Sequence, residues 1–365
     1  VPAPVVVILV SVVTVGVLKL VTWALNRYTA SKQAEIDSWH ERVVTEHGLL
    51  PEERQNTDRA CAAPELDALR AAADRGDWRA CAEQLAAAGP DADRRYRLVE
   101  ELADAGADQD DWLRAWRAER PGDPDAAVVH AEALVKLAWR LRGAAYAEDT
   151  SDEQAAGFHR LLTEARTAAR EAQEIDPQDP LPWTTELWIA LGLNYPRAEF
   201  DRVWAGLTAR DPHLYPAHYA AVQYWSAKWH GSEEEANAFA DHAATDAPAG
   251  SLLAGMRLVA LFEHEPDDNE SAYWSTPYAR SAVDAARRAV DAAPAGHARA
   301  AEIRHLLAWC YTMTDRPAEA LGQFRVVDGY VDALPWRYSE DPAAYYCHIR
   351  AVAARFAAKE PQPAA

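Results

Sequence analysis

Residues 304–327 read RHLLAWCYTMTDRPAEALGQFRVV, and the order of small and aromatic side chains in this stretch decides the fold. Leu307, Ala308 and Tyr311 recur at helical spacing in a first helix, and Ala320 and Phe324 in a second. Small residues let two helices approach, and the aromatic residues beside them lock the pair. Such a hairpin cannot bury its apolar face alone, so neighbours must stack on both sides and form an array with a groove. That points to a scaffold rather than a catalyst.

The rest of the chain extends the pattern. Apolar residues keep a period near 3.6, and no alternating strand pattern interrupts them, so the body is expected to be all-α. Leu66, Leu69 and Ala73 precede Gly76-Asp77-Trp78, and Cys81, Leu85 and Ala88 follow it, which reads as a first hairpin with a glycine turn. A second pair is expected over Arg94 to Ala105 and Asp110 to Arg120. Asp123 with Pro124 opens a long helix whose buried stripe reads as Ala127, Ala131, Leu134, Ala138 and Leu141, ending at Gly143. Ser151-x-x-Gln154 is a capping box, and Asp176-Pro177 stops the helix it begins.

Trp183 to Leu193 and Arg197 to Arg210 make another pair, and a helix from Pro216 carries Trp225 and Trp229. Ser232-x-x-Glu235 caps its partner, and the acidic first turn suits the positive end of the helix dipole. Further helices are expected over Leu252 to Glu263, Tyr273 to Ala292, Ala298 to Met313 and Pro317 to Val331, with a closing one over Ala343 to Ala357. Their uneven spacing predicts an irregular antiparallel helix-hairpin array, an α-solenoid, over residues 59–357, with a tail at 358–365.

Residues 1–29 read differently. Val5 to Leu18 is an apolar run that resumes after Lys19 through Leu20, Val21, Trp23 and Leu25, close to the length that crosses a bilayer. Lys19 can snorkel and Trp23 suits the interface, which makes the segment a transmembrane anchor. A secretory signal fits worse, for want of a basic leading region and a small-x-small cleavage site. Lys19, Arg27 and Lys32 follow the run and no charge precedes it, so the positive-inside rule places the body in the cytoplasm. Residues 30–58 read as a short stalk with Ile36, Trp39, Val43 and His47 at helical spacing, then a polar linker from Leu50 to Asp58.

With 365 residues, 49% hydrophobic, and 14 Trp and 14 Tyr, the chain is too apolar for disorder. Its net charge of -20 repels phosphate backbones and argues against nucleic acid. The abundant Arg, Ala, Asp and Pro, with scarce Lys, look like translation from a GC-rich, actinobacterial-type genome. Cys61, Cys81, Cys310 and Cys347 have no CxxC pairing and no His at ligand spacing, against a zinc site. They read as buried thiols, with a Cys61–Cys81 disulfide the alternative.

The quoted stretch resembles the tetratricopeptide repeat, with Leu307, Ala308, Tyr311, Ala320 and Phe324 at its Leu, small, Tyr, Ala and Phe positions. Arg304 stands at the usual early Trp, and Asp332 at the closing Pro. The Asp-Pro helix ends after Ile175 and Arg210 fit the same pattern. The middle third, from Trp139 through Arg142-Gly143, Phe158, Asp176-Pro177, Asp211-Pro212 and Lys228-Trp229-His230-Gly231-Ser232 to Phe239 and Pro248, resembles an uncharacterised bacterial domain family. That resemblance implies a helical fold and supplies no reaction.

No phosphate loop, HExxH pair or nucleophile elbow is present, so the chain is expected to be no enzyme and to hold no cofactor or metal. His213 and His218 straddle Pro216 and make a poor metal pair. The acidic stretch His264, Glu265, Asp267, Asp268, Glu270 lacks the glycine turn and distal Glu of a calcium loop. Trp112 and Trp116, and Trp225 and Trp229, are each one helical turn apart and read first as core packing. Where they face the groove instead, they are the candidate partner-binding residues. The expectation is a membrane-anchored adaptor that docks a protein partner, with basic proteins among the candidates, at the cytoplasmic membrane. The competing readings are an accessory subunit of a membrane complex with an extracytoplasmic body, and an enzyme built from scattered groups.

Overall fold

The computed structural model describes residue 36 and residues 38–143, 151–266, 270–297 and 299–358. The anchor residues Val5, Leu18, Lys19, Trp23 and Leu25 and the tail from residue 359 lie outside the described residues. Among the described residues the regular structure is helical, with one isolated parallel bridge between Asn56 and Tyr330. No helix among them is long and apolar enough to cross a membrane.

Residues 38–47 form α1. Helix pairs follow: α2 (Pro64–Asp74) with α3 (Trp78–Ala87), α4 (Ala92–Asp108) with α5 (Asp111–Glu119), and α6 (Pro124–Arg142) with α7 (Asp152–Ile175). Next come α8 (Leu181–Gly192) with α9 (Arg197–Thr208), α10 (Tyr215–Trp225) with α11 (Glu233–Asp246), and α12 (Met256–Glu263). The short α13 (Glu270–Trp274) leads to α14 (Pro277–Ala292), then α15 (Ala300–Met313) with α16 (Pro317–Val327), and α17 (Pro342–Ala357).

Local chemistry sets these boundaries. Asp123 accepts hydrogen bonds from the N–H groups of Asp125 and Ala126, with Pro124 at the first helical position. Ser151 and Gln154 bond each other reciprocally, completing a capping box. Gly76 turns the chain between α2 and α3 at φ 77°, a conformation that costs other residues a clash at Cβ. The five residues of the quoted stretch are fully buried between α15 and α16.

Three expectations are corrected. The helix from Pro216 ends at Trp225, not Trp229, because the Ser226 hydroxyl bonds back to the Val222 carbonyl and the chain folds over. A Cβ on Gly231 would lie 2.0 Å from the Trp225 carbonyl oxygen, so only glycine allows this return. The helix expected over Tyr273 to Ala292 is two, split where the Thr276 side chain caps α14 at Pro277. In α6 the stripe is not the narrow one expected. Val128, Val129, Glu132, Ala133 and Val135 are buried while Leu141 is 38% exposed, because α6 packs against α4, α7 and α8 at once.

The linker is not a free tether. Asn56 and Arg59 accept the N–H groups of Val331 and Asp332 at 2.8 and 2.9 Å, and Gln55 bonds Gly329 and Asp328. Arg350, 2% exposed, binds Asp328 and reaches the Leu50 carbonyl at 2.8 Å. Val43 of α1 and Leu49 pack against Leu321, Ala351 and Ala354, so the segment read as a stalk lies on the last helices. The beginning of the body is thus stitched to its end.

Candidate functional site

The first helices of successive pairs pack side by side: α4 on α6, α6 on α8, α8 on α10 and α10 on α12. Their N-terminal ends are tied together by charge. Arg95 spans Asp125 at 2.8 Å and Asp179 at 3.0 Å, joining α4 to the starts of α6 and α8. Asp93 accepts the N–H of Tyr215 at 3.1 Å, which brings in α10. Arg299, at the start of α15, pairs with Glu100 of α4 across 199 residues of sequence.

This arrangement encloses a cavity of about 490 Å³, walled by α4, α6, α8, α10, α12 and α15 and by residues 58–60 and 332–337. The volume is that of a small-molecule or side-chain site. Its wall carries seven carboxylates and five cations, with Tyr96, Tyr215, Tyr219, Trp139 and Trp188 between them. The charges are largely spent on each other. Arg59 pairs with Glu101 at 3.0 Å, Lys136 with Asp104 at 3.4 Å, Arg299 with Glu302 at 2.9 Å, and Arg337 with Asp332 at 2.9 Å. Burial works against the Arg299 charge, but Glu100 and Glu302 outweigh it and raise its pKa.

Glu132 is the exception. It is 2% exposed, no cation among the described residues lies within ion-pair distance, and it accepts from the Thr185 hydroxyl at 2.7 Å. Burial pushes its carboxyl up to about 7, with Lys136 only partly opposing. Beside it the fully buried Tyr96 hydroxyl lies against Glu132 in a poorly aligned hydrogen bond, and burial, then the Glu132 charge, raise its pKa. The Trp139 Nε1 and the Nε atoms of Arg59 and Arg299 are buried donors without acceptors. Such atoms occur away from the cavity too, at Trp183, Trp309 and Arg350, but here they belong to residues that border open space in which a guest or water can supply the partner.

The sequence-derived candidates fall elsewhere. Trp112 and Trp116 face the core, where Trp116 stacks on Trp78 at 5.9 Å and its Nε1 donates to Asp123. Trp225 and Trp229 do not share a helix. Trp225 packs edge-on against Phe200 with Arg197 over its ring, while Trp229 packs edge-on against Trp139 and so backs the cavity wall. The Lys228–Ser232 stretch closes that turn. Lys228 pairs with the buried Glu263 side chain, the His230 ring packs tilted against Tyr224, and Ser232 caps α11.

His218 is buried against Trp204 and Phe239, with burial lowering its pKa to about 4. Neither it nor His213 lines the cavity, and neither do the described residues Glu263, His264 and Glu265. His264 bonds Ala260 and Ala227, and Glu265 accepts from Trp274; Asp267 and Asp268 lie outside the described residues. Among the described residues no group of His, Cys, Asp or Glu is placed to hold a metal ion, and all four cysteines are free thiols.

Sequence reasoning missed the cavity because its residues look like solvated helix faces. The signal is nonetheless regular. Tyr96, Glu100 and Asp104 on α4, Glu132 and Lys136 on α6, and Tyr215 and Tyr219 on α10 each recur every fourth residue on a first helix. Comparisons with family models, with curated proteins and with solved structures return no match.

Proposed function

We propose that this chain is a non-catalytic docking module of tetratricopeptide-like hairpins, held at the cytoplasmic membrane by its N-terminal segment, whose protein partner inserts a side chain or short segment into the central cavity. The supporting observation is the cavity itself: space for a guest, buried donors without acceptors, and a buried carboxylate that Lys136 offsets only in part. Placing the partner there, rather than against the tryptophan pairs, follows from Trp112 and Trp116 being buried. Membrane attachment rests on the sequence of residues 1–29.

The test is crosslinked affinity purification of the full chain from membranes. A Trp188→Ala/Tyr219→Ala variant, which opens the paired rings on the cavity wall 6.1 Å apart, is expected to lose a stoichiometric partner. A Trp225→Ala variant is expected to keep it. Loss in the second and retention in the first, or no partner with any form, contradicts the proposal.

A further inference from the structure

The cavity holds one charge that the fold answers only in part. The cations on its wall that lie deepest are each matched by a carboxylate, whereas Glu132 on the same wall has no ion pair and is offset only at a distance by Lys136. A buried carboxylate without a counter-charge is among the more costly groups a fold can carry, and an apolar residue or glutamine would be cheaper. Tyr96 from α4 lies against it, and the same cavity wall carries the paired rings of Trp188 from α8 and Tyr219 from α10. Aromatic rings around a carboxylate are the surroundings that attract an organic cation. The unpaired donors on Trp139 and Arg299 call in addition for acceptor oxygens on the same guest.

We propose that the cavity binds an organic ammonium group, with Glu132 as its counter-charge and Tyr96, Trp188 and Tyr219 as its walls. The guest's carbonyl oxygens take the unpaired donors, so a lysine side chain on a peptide satisfies more of the site than a bare amine. This rests on the docking reading only for the guest being presented by a protein; the ammonium site itself does not. Binding requires ionised Glu132 and therefore weakens as pH falls through about 7. The charged and titratable groups facing Glu132 are Tyr96, Glu100 and Asp104 from α4 and Lys136 on its own helix, with Thr185 from α8 bonded to it.

Isothermal titration of the full chain in detergent tests this with four probes: N-acetyl-lysine methylamide, its norleucine and glutamate counterparts, and butylammonium. The lysine probe is expected to bind roughly tenfold more tightly at pH 8 than at pH 6, and Glu132→Gln to weaken it by tenfold or more. The norleucine probe, which lacks only the ammonium, is expected not to bind. Trp188→Leu is the second variant, expected to weaken the lysine probe without changing the pH dependence. Equal binding of lysine and norleucine, preference for glutamate, an unaffected Glu132→Gln, or no binding of any probe at millimolar concentration overturns the proposal. Butylammonium matching the lysine probe would keep the ammonium site and assign it to a free amine, which separates this inference from the docking reading.

Discussion

Replacing Glu132 by glutamine should make the protein more stable, and only at the higher pH. The carboxyl titrates near 7 in the folded chain, against an ordinary 4.5, because burial disfavours its charge. Between those values the native state holds a proton that the unfolded chain has released, so the carboxyl's contribution to stability falls as pH rises from 4.5 to 7. Above 7 the loss is complete. A shift of this size is worth about 3 kcal/mol, or roughly 5 °C in Tm for a chain of this length. Glutamine keeps the acceptor for the Thr185 hydroxyl and carries no charge, so it removes the penalty while preserving the contact. Thermal melts of wild type and Glu132→Gln across pH 4.5 to 8 should therefore coincide at the acid end and separate by about 5 °C at the other. A gap that does not vary with pH, or a variant less stable at pH 8, would refute the reasoning that Glu132 is buried without a counter-charge.

Other outcomes follow from the packing. Gly231→Ala forces a Cβ onto the Trp225 carbonyl and should cost about 3 kcal/mol in urea unfolding, with the loss of the turn that seats Trp229 against Trp139. His305 is fully buried, accepts from Trp336 Nε1 at 2.9 Å and bonds the Ala60 carbonyl. Burial lowers its pKa to about 4, so its share of stability is complete above pH 6.5 and drains away as pH falls toward 4. Urea unfolding at a series of pH values should show the gap between wild type and His305→Gln narrowing by about 3 kcal/mol over that window. Of the four thiols only Cys61 is partly exposed, while burial pushes Cys81 and Cys347 up to about 12 and 11. Native thiol titration should count one fast group, and an impermeant reagent on intact cells then reports which side of the membrane Cys61 faces.

Much of the helical layout was legible because it is written in local chemistry. The capping box at Ser151, the Asp123-Pro124 start and the Gly76 turn each involve neighbours within four residues, and each appears where the residues dictate. Two local signals were legible and misread. Thr276-Pro277 is a helix start inside what looked like one long helix, and Ser226 with Gly231 makes a return that spacing alone extends into helix. What could not be read were contacts between distant parts of the chain. Nothing around Asn56 names Tyr330 as its neighbour, and nothing around Glu100 names Arg299. A glutamate among alanines on an amphipathic helix reads as solvent-facing until helices on three sides close over it.

Photo-crosslinking in native membranes tests most directly whether the cavity is where the partner docks. A benzophenone amino acid would be placed at position 188, on the cavity wall, or at position 326, where Val326 is 62% exposed on the outer surface of α16. Docking into the cavity predicts a discrete protein adduct from 188, suppressed by Glu132→Gln, and none from 326. An adduct from 326 with none from 188 would place the partner on the outside and contradict the account.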